Sequence, residues 1–90
     1  MKSPVILAVD DDPQVLGAVE RDLKRRYAGD YRVVRAGSGT EALETTATLK
    51  RRGEAVALFL VDQRMPGMTG TAFLAEARRI YPDARTETHR

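Results

Sequence analysis

Three short apolar segments, separated by stretches with helical spacing, restrict the possible folds of this chain more than any other feature. Val5–Val9 and Val56–Val61 are apolar throughout, and Tyr31–Ala36 is a weaker segment with two valines at its centre. Continuous apolar runs without polar alternation are typical of parallel strands that are covered on both faces. Strands that alternate with helices indicate right-handed crossovers. The sequence therefore predicts an α/β fold with a parallel sheet built from three strand–helix units.

The helices between these strands are predicted from apolar spacing and from start and stop signals. The residues that share one face are Val15, Leu16, Val19 and Leu23 in the first helix, Ala42, Leu43, Ala47 and Leu49 in the second, and Phe73, Leu74, Ala77 and Ile80 in the third. Asp12 before Pro13 is a typical N-cap followed by proline at the first helical position. Thr40 is predicted to cap the second helix, and Pro82 to end the third.

Composition and the chain ends restrict the class of protein. The sequence has 90 residues, 42% of them hydrophobic and 31% charged, which is typical of a soluble globular domain. No cysteine is present, so disulfides and thiolate metal sites are excluded. No apolar run approaches the roughly 20 residues of a membrane span, and no signal peptide is evident, so a cytoplasmic location is expected. One partial domain is predicted over residues 1–85, with a frayed polar tail over residues 86–90.

Basic residues form three clusters in a chain whose net charge is only +2. The clusters are Lys24–Arg26, Lys50–Arg52 and Arg78–Arg79. Basic clusters can pair with nucleic-acid phosphates. Each cluster nevertheless lies near a predicted helix end, where cations complement the helix dipole, and no aromatic residues interleave with them. We therefore expect solvated helix ends and no binding of nucleic acid by this chain.

Aspartates follow two of the predicted strands directly. Asp10, Asp11 and Asp12 follow the first strand, and Asp62 follows the third. In open parallel sheets, ligands bind beyond the carboxyl ends of the strands, so neighbouring strands would bring these side chains together. Asp12 is adequately explained as a helix cap and Asp62 alone as a turn residue, yet three consecutive aspartates exceed what helix initiation needs. Carboxylates packed together repel one another, which a Mg²⁺ ion would relieve.

Two motifs carry a resemblance to a known family. VILAVDDDP begins at Val5, and LFLVDQRMPGMTG begins at Leu58. Together they resemble the receiver domain of two-component response regulators, over about Val5 to Asp83. In detail the chain is most similar to receiver domains fused to thioredoxin-reductase-like flavoproteins. The resemblance implies a flavodoxin-like (CheY-like) doubly wound sheet with strand order 2-1-3-4-5, of which this chain would supply the first three units in order 2-1-3.

The same resemblance implies the roles of individual residues. Asp62 would be the phosphoacceptor of a phosphorelay, and its donor a sensor histidine kinase or a phosphotransfer protein. Asp11 would hold Mg²⁺ directly and Asp10 through water, while Arg64 would contribute its backbone carbonyl. A carboxylate nucleophile beside Mg²⁺ suits phosphoryl transfer, which depends on in-line positioning and on neutralising charge. The chain would be a signalling module and not an enzyme.

The resemblance also implies residues that this sequence does not supply, so a truncated receiver domain is expected. The family has a small hydroxyl residue after its fourth strand and a lysine after its fifth. Thr86 and Thr88 follow no apolar run and are not assigned the hydroxyl role, and His89 is expected to be an inert tail residue. Without a fourth strand, Val56–Val61 would be an exposed sheet edge. We therefore expect the chain to form a homo-oligomer through this edge.

Two other functions remain open at this point. A receiver-like module without the hydroxyl and the lysine could act in docking or dimerisation without switching. A metal-dependent phosphatase is a third possibility, because Asp10 and Asp12 superficially resemble the aspartate pair of haloacid-dehalogenase-like enzymes. That family expects glycine and threonine after the pair, whereas Pro13 and Gln14 follow here.

Overall fold

A computed structural model describes residues 3–27 and 29–89 of the chain. Within these ranges, four strands alternate with three helices. They are β1 (Val5–Val9), α1 (Pro13–Tyr27), β2 (Arg32–Ala36), α2 (Gly39–Arg51), β3 (Val56–Asp62), α3 (Gly70–Ile80) and β4 (Arg85–His89). Within the described ranges, no helix has both the length and the apolar character needed to cross a membrane.

The four strands form one parallel sheet in the order β2-β1-β3-β4. The predicted α/β, flavodoxin-like arrangement and the strand order 2-1-3 are therefore confirmed. β1 lies at the centre because its side chains are apolar on both faces, and all five of its residues are buried. The carboxyl ends of all strands consequently meet at one edge of the sheet, where β1 and β3 are direct neighbours.

The fourth strand corrects two of the predictions from the sequence. Residues 86–89 were expected to fray, but Arg85–His89 pairs in parallel with β3 over five positions; Arg90 lies outside the described residues. β3 is therefore covered on both sides, and the prediction that its edge is exposed is wrong. The expected homo-oligomer through that edge has lost its structural basis. β4 itself is the edge strand, and its charged and polar residues are of the kind that discourages pairing with another sheet.

Helices cover both faces of the sheet, and alternate residues of β1 point to opposite sides. Val5, Leu7 and Val9 pack in the larger apolar cluster with residues of α2 and α3. Ile6 and Ala8 pack in the smaller cluster with Leu16 and Leu23 of α1. We refer to these two sides as the α2/α3 face and the α1 face.

The ends of the helices largely follow the sequence signals. Basic residues occupy the last turn of all three helices, as predicted from the charge clusters. The predicted cap of α2 is wrong by two residues. Ser38 accepts a hydrogen bond from the Glu41 amide at 3.1 Å, and Thr40 lies inside the helix. The sequence does not single out Ser38, because this residue lies between Gly37 and Gly39 in a segment with the composition of a loop.

Candidate functional site

Sheet register brings two aspartates together at the carboxyl ends of β1 and β3. Val9 pairs with Val61, so the residues that follow, Asp10 and Asp62, are adjacent. Side chains alternate along a strand, so both aspartates point to the α1 face, as Ala8 does two residues earlier. Asp10 is 1% exposed and Asp62 is 2% exposed. Two carboxylates are thus buried side by side, as the sequence predicts.

The three consecutive aspartates after β1 have different hydrogen-bond partners and different exposure to solvent. Asp10 accepts a hydrogen bond from the Asp12 amide at 2.9 Å through Oδ1. Asp12 in turn accepts hydrogen bonds from the amides of Gln14 at 2.9 Å and Val15 at 3.4 Å, also through Oδ1. Asp12 therefore caps α1, as predicted. Asp11 is exposed to solvent and is not used by the cap.

The loop after β3 holds Asp62 from its other side. The Arg64 amide donates a hydrogen bond to Asp62 Oδ1 at 3.1 Å, which fixes the rotation of the carboxylate. The Gly70 amide donates to the Gln63 carbonyl at 3.3 Å, so the start of α3 is tied back to the end of β3. Gly67 turns the loop with a φ of 79°, a conformation that glycine adopts without steric cost.

Three of the four predicted site residues line a single open cavity. Asp11, Asp62 and Arg64 line it together with the cap residue Asp12. Asp10, the fourth predicted residue, is buried beside Asp62. The predicted roles of Asp11 and Asp10 in holding a cation, directly and through water, stay predictions, as does that of the Arg64 carbonyl.

This donor set fits a hard divalent cation. Carboxylate oxygens are the ligands that Mg²⁺ prefers, and it usually keeps several waters, which an open cavity provides. Asp11 presents an exposed carboxyl group to that cavity, while Asp10 and Asp62 bring two further carboxyl groups together in a buried position. Ionised carboxylates that lie this close repel one another, and a bound cation relieves that repulsion.

His89 lies in β4 beside these aspartates, so the expectation that it is part of a tail is wrong. β4 places it opposite Asp62 in the sheet register. Its Nε2 lies 3.8 Å from Asp10 Oδ2. One ligand atom each from Asp10, Asp62 and His89 lies within 4.8 Å of the others. The sequence feature that could indicate this strand is the alternation of the β-branched Thr86 and Thr88 with Glu87 and His89. The segment lacks the apolar residues that identify buried strands, so the pattern is weak.

The two threonines of β4 lie on the other face of the sheet. Thr86 pairs with Phe59 and Thr88 with Val61, and both of these β3 residues belong to the cluster on the α2/α3 face. The Thr86 hydroxyl accepts a hydrogen bond from Arg78 Nη2 at 2.9 Å, which ties β4 to α3. Neither hydroxyl is brought to the aspartates by this register.

A family profile and individual related proteins identify the same family for this chain. The sequence profile described as Response regulator receiver domain matches residues 6–86. The hydrogenase transcriptional regulatory protein HoxA of Cupriavidus necator is 38% identical over 82 residues, which are 91% of this chain and 15% of HoxA. The sensor kinase CckA of Brucella abortus is 38% identical over 81 residues, which are 90% of this chain and 8% of CckA.

Solved structures share the fold. A response regulator protein from Burkholderia pseudomallei, crystallised with a phosphorylated aspartic acid, a calcium ion and citrate, superposes with a TM-score of 0.78 at 28% identity. The alignment covers 96% of this chain and 46% of that protein. The chain thus spans a small part of the curated relatives and about half of this solved chain.

Proposed function

Because this chain belongs to the response regulator receiver domain family of two-component systems, we propose that it accepts a phosphoryl group on Asp62. The observation that carries the proposal is the placement of Asp62. Its carboxylate lies at the carboxyl end of β3, beside Asp10, and lines a cavity that Asp11 shares. The similar response regulator from Burkholderia pseudomallei contains a phosphorylated aspartic acid, which supports the assignment.

The chemistry proposed for Asp62 is a nucleophilic displacement at phosphorus. A carboxylate oxygen of Asp62 forms the new O–P bond while the P–N bond of a phosphohistidine breaks, and the departing imidazole takes up a proton. The Arg64 amide, at 3.1 Å from Asp62 Oδ1, keeps the carboxylate from rotating as it attacks. This fixed orientation favours the reaction because in-line geometry is the main requirement of phosphoryl transfer.

Mg²⁺ is the proposed cation, with Asp11 binding it directly, Asp10 through water, and Arg64 through its backbone carbonyl. When bound, Mg²⁺ neutralises charge on the transferring phosphoryl oxygens. Asp10 receives the Asp12 amide on Oδ1, so its orientation is fixed before any ion arrives. The similar response regulator was crystallised with a calcium ion, which supports the proposal that this chain binds a divalent cation.

The proposed phosphoryl donor is a sensor histidine kinase or a phosphotransfer protein in the cytoplasm. The similarity to the sensor kinase CckA supports a place for this chain in kinase-linked signalling. The closer resemblance to receivers fused to thioredoxin-reductase-like flavoproteins remains a proposal, and it has no support from HoxA or CckA. Receiver domains are signalling modules, so the proposed role is acceptance of the phosphoryl group and not turnover of a substrate.

Labelling with acetyl phosphate tests the proposed function. We expect incorporation of phosphate that requires Mg²⁺, disappears with EDTA and disappears in Asp62→Asn. Asp22→Asn is the matched control, because Asp22 is an exposed residue of α1 whose carboxylate lies 3.8 Å from Arg26 Nη1. Labelling of Asp62→Asn at the rate of the unsubstituted protein contradicts the proposal.

A docking module that does not switch is the second candidate function. The observation that favours it is the register of β4, which pairs Thr86 with Phe59 and Thr88 with Val61 on the face opposite the aspartates, so this strand presents no hydroxyl group to Asp62. A folded protein that takes up no phosphate from acetyl phosphate with Mg²⁺, yet binds a sensor kinase, supports this candidate against the first.

A further inference from the structure

Backbone pairing of β4 with β3 places the His89 imidazole beside the buried aspartates. Its partner in the register is Asp62, and the Gln63 amide donates a hydrogen bond to the His89 carbonyl at 3.4 Å. Side chains of paired residues in a parallel sheet point to the same face. The imidazole therefore extends on the α1 face, where Asp10 and Asp62 also lie.

The donor atoms of these three side chains are close enough together to bind one metal ion. Nε2 of His89 is 3.8 Å from Asp10 Oδ2, and single donor atoms of His89, Asp10 and Asp62 lie within 4.8 Å of one another. Two ligands on a four-coordinate ion with bonds of about 2.1 Å lie about 3.4 Å apart. Rotation of the His89 ring, whose side chain is 23% exposed, can close the remaining gap.

Two carboxyl groups and one imidazole form a donor set that a single divalent cation can share. Asp10 and Asp62 are both buried, so a cation bound between them would be largely shielded from water.

Donor chemistry decides which cation would use all three groups. Mg²⁺ prefers oxygen ligands and binds imidazole nitrogen weakly, whereas divalent transition metal ions bind imidazole well. We propose that Asp10, Asp62 and His89 form a site for a divalent first-row transition metal ion, with His89 Nε2 as the ligand that selects this class over Mg²⁺. The proposal uses two carboxylates of the proposed function but does not require that Asp62 becomes phosphorylated.

The amino-acid composition makes this proposal simple to test, because the chain has one histidine and no cysteine. Titration of the unphosphorylated protein with Zn²⁺, followed by NMR of the imidazole ring, reports on His89 alone. We expect the ring signals to shift strongly and to saturate with Zn²⁺, which binds Nε2 directly, and to shift much less at saturating Mg²⁺, which would bind the neighbouring carboxylates without the ring nitrogen. Ring signals that stay unchanged at saturating Zn²⁺ overturn the proposal without any variant.

Calorimetry with Co²⁺ gives the second arm of the test. We expect His89→Gln to lose at least about tenfold in Co²⁺ affinity, because even outer-shell partners of a metal site contribute that much. Its Mg²⁺ affinity should be unchanged. Glu87→Gln is the control, since Glu87 is an exposed residue of the same strand. Equal Co²⁺ affinity in His89→Gln and in the unsubstituted protein overturns the proposal, as does a Co²⁺ affinity that Glu87→Gln lowers equally.

The outcomes separate this proposal from the proposed function. Metal binding through His89 without Mg²⁺-dependent labelling of Asp62 supports the metal site and contradicts phosphoacceptance. Labelling without any response of the His89 ring to Zn²⁺ supports phosphoacceptance and overturns the metal site. If His89→Gln does not fold, as judged by circular dichroism, the ring titration of the unsubstituted protein decides.

Discussion

The Tyr81 hydroxyl donates a hydrogen bond to the Glu54 backbone carbonyl at 2.6 Å and joins the end of α3 to the segment before β3. Its ring packs beside Phe59, with 6.2 Å between the ring centroids, and Lys50 Nζ lies 5.0 Å from the centre of the ring. Burial raises the pKa of Tyr81 above its usual 10.0, and the negative charge of Glu54 raises it further. The folded state therefore favours the neutral phenol.

This raised pKa predicts a loss of stability at high pH. The contribution of Tyr81 is complete below the unfolded pKa of about 10 and falls as the pH rises through the higher folded pKa. We expect Tyr81→Phe to lower the free energy of unfolding by about 1 kcal/mol at neutral pH, the usual worth of one hydrogen bond. The difference from the unsubstituted protein should shrink in urea unfolding between about pH 9 and about pH 12. A difference that stays constant over this range contradicts the assignment.

Individual site residues can be predicted from the sequence only where an apolar run marks the end of a strand or a local motif marks the start of a helix. Asp10 and Asp62 follow continuous apolar runs, so the geometry of parallel strands alone brings them together. Asp12 was identified as a cap because the chemistry of helix starts is local. His89 was not, because its position depends on pairing of a polar strand with β3, which no local pattern in residues 85–89 specifies.

At the scale of elements, the start of α3 is fixed by its close approach to β3. A side chain on Gly70 would place its Cβ 2.5 Å from the Asp62 carbonyl oxygen, which is closer than real contacts allow. Only glycine therefore lets α3 begin directly against the strand that carries the proposed phosphoacceptor.

We expect Gly70→Ala to lower the free energy of unfolding by about 1 to 3 kcal/mol, as overpacking does in well-packed interiors. Gly17→Ala is the matched control. A Cβ on Gly17 meets only Arg21 Nη1 at 3.5 Å, and alanine favours the interior of α1. This control should raise stability by about 0.5 to 1 kcal/mol. Urea unfolding of both variants checks the prediction, which fails if Gly70→Ala is as stable as Gly17→Ala.

β4 shows how far a sequence pattern can specify an element at the sheet edge. β1 is buried on both faces and β3 is buried or half-buried along its whole length, so both strands are recognisable by continuous apolar residues. An edge strand forms backbone hydrogen bonds with one neighbouring strand only. The backbone of β4 pairs with that of β3, and this pairing does not require apolar side chains. The polar side chains of β4 are compatible with solvent, so composition alone favours a tail over a strand. A sequence pattern without this strand also predicts an exposed β3 edge, which β4 in fact covers.

At the scale of the whole molecule, the two faces of the sheet are packed unequally. The α2/α3 face holds the larger cluster, with the fully buried rings of Phe59 and Phe73 at 5.7 Å between centroids. Among the described residues, the buried apolar side chains of the α1 face are those of Ile6, Ala8, Leu16 and Leu23. Stability should therefore depend mainly on the α2/α3 face, whereas the proposed chemistry lies on the α1 face.

We expect Phe59→Ala to cost about 3 to 5 kcal/mol, the usual effect of removing a buried aromatic ring. A domain of this size has a total stability of about 5 to 13 kcal/mol, so a large share would be lost. Tyr31→Ala is the control, because Tyr31 is 36% exposed and its removal should cost about 1 kcal/mol or less. Equal midpoints of urea unfolding for the two variants would show that the large cluster does not dominate stability.

The central claim, that Asp62 is the phosphoacceptor, is tested most directly by mapping the modified residue. The protein is incubated with acetyl phosphate and Mg²⁺ and then reduced with borohydride, which converts an aspartyl phosphate to homoserine. Peptide mass spectrometry then locates the converted residue. The placement of Asp62 at the carboxyl end of β3 predicts homoserine at position 62 and aspartate unchanged at Asp10, Asp11 and Asp12. Homoserine at any of these three positions, with Asp62 unmodified, contradicts the account.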